Sequence, residues 1–264
     1  MSSLSWRGEL NKFLSATYKN WITSRRNVFT LFELVFWPFI GLLSIGLLTR
    51  FLEVTGEMVA FVLVGAIALS ILQISQIDVA YILLFDLWSK SIKQTFVAPV
   101  RGYHLVLGAM LFGVARGSLV FLILAAASSR FFGFDFLAGG IVTVIVFLAG
   151  IFVTAASIGM AVCISILLFG QRADVAAWSL SGIMMLVSGV YYPVEILPAP
   201  LQLLSKSIPL TYFLEYYRSA YGYGSHHVLL GMGLALLYFF AGLLILNLAI
   251  ERARETGMML RLSE

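Results

Sequence analysis

The stretch MVAFVLVGAIALSILQISQIDVAYILLF, Met58 to Phe85, carries one formally charged residue, Asp78, in an otherwise apolar and small-polar run. A helix that crosses the ~30 Å hydrocarbon layer needs about 20 consecutive apolar residues at ~1.5 Å each. This run exceeds that length, and it lacks the polar face that a soluble amphipathic helix repeats every ~3.6 residues. It therefore predicts a transmembrane helix. Working outward, five more such runs appear: Val28 to Leu48, Leu105 to Ala127, Ala138 to Phe169, Ala177 to Tyr192 and Val228 to Ile250. The run from Ala138 is longer than one crossing requires, so it is expected to tilt, to kink near Gly150 or Gly159, or to run past the bilayer surface. The predicted fold class is an all-α integral membrane protein, with residues 1–264 forming one domain of six transmembrane helices.

Composition agrees with that reading. Of 264 residues 61% are hydrophobic and 11% charged, against roughly 25% charge in an ordinary soluble domain, and the mean hydropathy is +0.98. The polar start, with Trp6, Phe13, Tyr18 and Trp21, does not resemble a cleaved secretory signal. The net charge of +4 is spread over short loops and not gathered on one face, so no nucleic-acid partner is expected. Cys163 lies alone within an apolar run and reads as a small core residue.

Basic loop residues stay on the cytoplasmic side of a membrane. With the N-terminus inside, the cytoplasmic segments hold twelve: Arg7, Lys12, Lys19, Arg25, Arg26, Lys90, Lys93, Arg101, Arg172, Arg252, Arg254 and Arg261. The outer segments hold four: Arg50, Arg130, Lys206 and Arg218. Both termini are thus expected in the cytoplasm and the chain in the cytoplasmic (inner) membrane.

Three segments between or before the spans are unlike plain loops. Residues 1–27 place Leu4, Leu10, Phe13, Leu14, Tyr18, Trp21 and Ile22 at spacings of three and four among basic groups, the pattern of a helix lying in the interface. Residues 86–104 predict a short amphipathic helix with Leu87, Trp88, Ile92, Thr95 and Phe96 on one flank and Lys93 facing away, ended by Pro99 and Gly102. Such a helix suits docking on a cytoplasmic partner. The polar connection 170–176, with Arg172, reads as a second, smaller contact. Residues 193–227 combine Pro193, Pro198, Pro200 and Pro209 with apolar and aromatic pieces, which predicts short helices re-entering the outer leaflet.

Two of these stretches resemble the ABC-2 family of bacterial ABC permeases. TFVAPVRGYHLVLG, Thr95 to Gly108, is similar to the family's hydrophobic stretch, Pro, basic residue and Gly after the coupling helix. SGVYYPVEILPAPLQLLSKSIPLTYFLEYYR, Ser188 to Arg218, is similar to its signature in the order of glycine, aromatics, prolines, the Pro-Leu-Thr-Tyr group and the closing Arg. The resemblance implies a dimer of permeases in membrane lipid, with the pathway between copies and each copy docked on a nucleotide-binding ATPase subunit. It also implies export of drugs, lipid-linked polysaccharides or similar amphiphiles. Trp88, Ile92, Lys93, Phe96, Pro99, Arg101 and Arg172 are the expected contacts to the ATPase. The sequence has no GxxxxGK[ST] phosphate loop, so ATP and Mg belong to the partner and this chain is not expected to be an enzyme.

Ionisable residues within spans are costly in lipid and mark function. Glu33, Asp78 and Arg116 are the three, and the similar depths of Asp78 and Arg116 predict that they pair. Gln73 and Gln76 either line a polar stripe or join helices by hydrogen bonds. Phe32, Phe36, Tyr191 and Tyr192 are further candidates for the pathway, the alternative for such aromatics being a belt facing lipid. His226 and His227 point about 100° apart if helical, with no third ligand, so no metal is expected. An intramembrane enzyme would need catalytic groups converging at one depth, which the sequence lacks. A channel or carrier would leave the amphipathic cytoplasmic segments without a role.

Overall fold

The computed structural model describes residues 6–26, 28–170 and 174–255, and among these every regular element is helical. In chain order they are α1 (Trp6–Arg26), α2 (Val28–Phe51), α3 (Gly56–Trp88), α4 (Ile92–Val97), α5 (Gly102–Phe132), α6 (Ile141–Phe169) and α7 (Asp174–Val187). A 3-10 turn at Val194–Ile196 precedes α8 (Ala199–Lys206), α9 (Pro209–Ser219) and α10 (Val228–Glu255).

The helix α3 is the axis of the bundle and packs against α2, α5, α6 and α7. It threads two apolar cores. Towards its start, Leu63, Ile67 and Ile71 meet Phe121, Phe147, Phe213 and Tyr217. Towards its end, Ile82, Leu83 and Leu87 meet Ile92, Met160, Ile166 and Leu246. Lipid tails are as apolar as leucine, so helices in a bilayer associate through close backbone approach and not by expulsion of water. Small residues permit that approach here. A Cβ on Gly159 of α6 would stand 2.6 Å from Cβ of Val79, and one on Gly117 of α5 would stand 2.6 Å from Oγ of Ser75. Large apolar side chains such as Leu122, Ile145, Leu229 and Phe240 are left exposed on the outside of the bundle, as a lipid solvent allows.

Five described helices are long and apolar enough to cross a membrane: Phe32–Phe51, Gly56–Trp88, Gly102–Phe132, Ile141–Phe169 and Val228–Glu255. The expected fifth run, Ala177 to Tyr192, is shorter than the sequence suggested. Its 14-residue helix α7 reaches only about 21 Å at ~1.5 Å per residue. The apolar character continues to Tyr192 but the helix does not, because Gly189 takes φ +68 and turns the chain. The fourth run also begins late, at Ile141, since Gly140 at φ +91 ends the preceding turn. Only three residues of the run are lost to the turn: α6 keeps 29 residues, about 44 Å at ~1.5 Å per residue, so most of the excess length lies in the helix itself.

The connection 86–104 is likewise divided differently. Leu87 and Trp88 finish α3, Lys90 turns the chain at φ +56, and only Ile92–Val97 form the short helix α4. Ala98 is then extended, as a residue before proline prefers. In 193–227, the prolines that break one helix open the next: Pro198 caps α8, and Pro209 is the first residue of α9.

Candidate functional site

A cleft of about 640 Å³ opens between α2, α3 and α7. From α2 it is lined by Thr30, Glu33, Leu34, Trp37, Pro38 and Gly41. These recur at intervals of three and four, so they share one helical face. From α3 come Ala66, Gln73, Ile74 and Tyr81; α5 contributes Arg116, α7 contributes Trp178, and Tyr191 follows α7. Of the candidates read from sequence, Gln73 and Tyr191 line this cleft. Phe32 and Phe36 do not; they stack on each other at 4.7 Å between ring centres and are exposed on another face of α2. Gln76 is turned away and fully buried, donating to Ala177 O at 2.6 Å and accepting from Ser181 Oγ at 2.7 Å, which ties α3 to α7. Tyr192 donates to Leu186 O at 2.6 Å and so braces the turn that ends α7.

At the inner wall of the cleft Arg116 Nη1 donates to Asp78 Oδ1 in an ion pair between α5 and α3. Asp78 is almost wholly buried, and the Arg116 guanidinium also lies 5.4 Å from the centre of the Phe112 ring. Neither charge would be tolerable alone at this depth, and together they hold the two helices in register. Asp78 Oδ2 and Arg116 Nε remain without a partner among the described residues. The pair therefore retains hydrogen-bonding capacity on both members.

The edge of the bundle at the end of α3 is built on a second buried carboxylate. Asp86, at the end of α3, accepts from Lys19 Nζ of α1 at 2.6 Å, from Thr95 Oγ1 of α4 at 2.6 Å and from Ser91 Oγ at 3.1 Å. One side chain thus fixes α1, α3 and α4 to each other. Nearby, Glu9 of α1 accepts from Lys12 Nζ, from Tyr103 OH at 2.8 Å and from His104 Nε2 at 2.6 Å. His104 Nδ1 accepts from the Arg101 backbone, which leaves Nε2 as the donor to Glu9. The hydrogen bonds from Lys12, Tyr103 and His104 pull the Glu9 carboxyl down to about 2. Glu9, Lys19, Asp86 and His104 were not singled out from sequence. Glu9 and Lys19 lie among other polar residues of the first stretch, Asp86 and His104 at the ends of apolar runs, and only the packing of α1 on α3 and α5 selects them.

Of the residues expected to meet an ATPase, Trp88, Pro99 and Arg101 are exposed. Ile92 is not: it is fully buried in the core at the end of α3 and anchors α4 there. Val97, which the sequence reading passed over, is 86% exposed and extends the Trp88 surface. Lys93 and Phe96 lie on the backbone of α4, and their side chains are outside the described residues, as is Arg172.

The opposite end of the bundle, at the start of α3, is organised by Arg218. Buried on α9, it donates through Nη1 to Gly189 O at 2.7 Å and through Nη2 to Val190 O at 2.7 Å and Phe61 O at 2.9 Å. Its guanidinium carbon lies 3.5 Å from the centre of the Phe61 ring. Gly65 permits this: a Cβ there would overlap Val190 O at 1.8 Å. The signature stretch therefore folds back so that its closing Arg holds its opening glycine turn against α3. Tyr217 OH donates to Phe136 O at 2.6 Å and Tyr221 OH to Asp135 O at 2.9 Å, fixing the turn between α5 and α6 to α9.

The sequence model of the family described as ABC-2 type transporter matches residues 11–221, from α1 to just past α9. A stretch of 60 residues is 38% identical to a protein of Archaeoglobus fulgidus described as an uncharacterized protein, covering 23% of this chain and 91% of that one.

Proposed function

The chain belongs to the ABC-2 type transporter family and is a multi-pass membrane transporter permease, and from that premise we propose that it is the membrane half of an ABC exporter. In this reading it moves an amphiphilic substrate outward, and a separate nucleotide-binding subunit holds ATP and Mg and supplies the energy. Two copies pair in the cytoplasmic membrane with both termini inside. The helix α7 and the turn after it complete a sixth crossing, α1 lies in the inner interface and α8 with α9 re-enter the outer leaflet.

The observation that carries the reading is the cytoplasmic edge. The exposed Trp88, Val97, Pro99 and Arg101 surround a short helix whose other side is clamped to α1 and α3 through Asp86 and Ile92. A partner that pushes on α4 therefore pushes on the axis helix that also lines the cleft. The exposed stripe Trp6, Leu10, Leu14, Tyr18 and Trp21 along α1 suits a headgroup layer, where amphipathic rings and basic groups are both accommodated.

The test is purification from the native membrane with mild detergent, identification of co-purifying subunits and assay of ATP hydrolysis. A stoichiometric ATP-hydrolysing subunit is expected, released by the double change Trp88→Asp and Val97→Asp. These residues are exposed, so the stability of the permease should move by no more than about 0.5 kcal/mol. A chain that never carries an ATPase would overturn the coupling and favour a carrier or channel.

A further inference from the structure

Charge bookkeeping in the cleft leaves one group over. Of the described residues lining it, Glu33 and Arg116 are formally charged, and Arg116 is matched by Asp78. Glu33 makes no hydrogen bond or ion pair with any described residue; it is exposed and stands at the very start of the first transmembrane segment, Phe32–Phe51. A carboxylate at the rim of an apolar cleft stays ionised in contact with water and is open to a ligand in the cleft. Around it the cleft presents Trp37, Tyr81, Trp178 and Tyr191. Aromatic faces carry negative electrostatic potential and attract cations, Trp most strongly. The lining thus combines apolar area, π faces and one unmatched negative charge.

We propose that the cleft selects amphiphilic organic cations, with Glu33 as the residue that sets the charge preference. This rests on the permease reading for its transport role, but not for binding itself. An anion of the same shape would meet both the carboxylate and the ring faces unfavourably. A neutral amphiphile would fill the apolar walls and leave Glu33 unmatched. The spacing on α2 makes the arrangement self-consistent: Glu33 and Trp37 are one turn apart on the lining face, so one ligand can reach both.

The ions tetraphenylphosphonium and tetraphenylborate share size and shape and differ in the sign of charge, which isolates the variable. Their binding to the purified full-length chain in detergent is measured by equilibrium dialysis, with protein-free detergent subtracted. The cation should bind on the order of tenfold or more tightly than the anion, E33Q should erase the difference, and E33D should keep most of it. Equal affinities in the wild-type chain, or a preference untouched by E33Q, would overturn the proposal. So would an E33Q chain that has lost its self-association in size-exclusion chromatography, because Glu33 would then be matched by a second copy and not by a ligand. The measurement needs no ATPase: charge-selective binding without a co-purifying ATPase would refute the exporter reading alone, and an ATPase-bound chain without selectivity would refute this one alone.

Discussion

The two ends of the bundle are fastened by different chemistry. At the α4 end the main junctions join side chain to side chain: Lys19, Ser91 and Thr95 on Asp86, and Lys12, Tyr103 and His104 on Glu9. At the Arg218 end most side chains reach for backbone carbonyls, Arg218 for three of them and Tyr192, Tyr212, Tyr217, Tyr221 and Tyr238 for one each, while Tyr223 on Glu57 and Ser225 on Glu215 are side-chain contacts to carboxylates there. A carboxylate-centred junction can be weakened by protonation, by salt or by a competing charge on a partner. A guanidinium or phenol on a carbonyl answers to none of these at ordinary pH. The comparison teaches that the end expected to receive a mechanical signal is the more adjustable one, and that the Arg218 junction is built to keep its shape.

The largest effect should come from breaking the Arg218 end. Arg218→Ala leaves the carbonyls of Phe61, Gly189 and Val190 without their donor in a buried site, at a cost of about 3 kcal/mol or more. Arg218→Lys should recover only part of this, because one ammonium cannot reproduce the guanidinium fork. Thermal unfolding of the purified chain measures both. If Arg218→Ala melts like wild type, this end is not held by Arg218.

A smaller loss is expected from Asp86→Ala, about 2 kcal/mol, because the Lys19 amine it frees is about a third exposed and can be hydrated. Its signature should be local: amide exchange in α4 and the facing turns of α1 should accelerate while α9 stays protected. Equal acceleration at both ends would mean that Asp86 merely supports the whole fold.

The smallest effect concerns Glu9, which is partly exposed. Its carboxyl is held below its ordinary 4.5, at about 2, by hydrogen bonds from Lys12, Tyr103 and His104. A depressed folded-state value stabilises the charged, docked form above pH 4.5, and that contribution is lost as pH falls through about 2. The docking of α1 on α5 should therefore persist at pH 4 and weaken towards pH 2, and Glu9→Gln at neutral pH should show the same weakening. Exchange rates in α1, followed against pH, provide the check; a transition centred above pH 4.5 would contradict the assigned partners.

Much of the fold was legible because a bilayer makes length and hydropathy decisive. Runs such as Met58 to Phe85 have one soluble-state alternative at most, and their helices formed where expected. The boundaries that failed did so for a common reason. Ala177 to Tyr192 is apolar throughout, yet Gly189 turns the backbone, and hydropathy does not register a dihedral angle. Ile92 reads as an exposed docking residue because the periodicity was counted from Leu87, but α3 ends at Trp88 and α4 starts afresh, which rotates Ile92 into the core. Within the cleft, Gln73 and Tyr191 were legible as polar or interfacial groups in apolar runs. Trp37 lines the cleft and its neighbour Phe36 does not, a difference that nothing local in the sequence marks.

By itself, then, the sequence determined the solvent, the helical class, the positions of the long spans and the short list of costly intramembrane charges, because transfer of charge into lipid is a property of each residue and its neighbours along the chain. Only the tertiary structure decided which of those charges were matched. Asp78 and Arg116 lie on different helices, Asp86 gathers donors from α1 and α4, and Arg218 reaches back to α3 across more than a hundred and fifty residues of chain. Pairing at such separations depends on how helices cross, and that is set by the summed contacts of whole faces such as those at Gly117 and Gly159, which no single stretch of sequence contains.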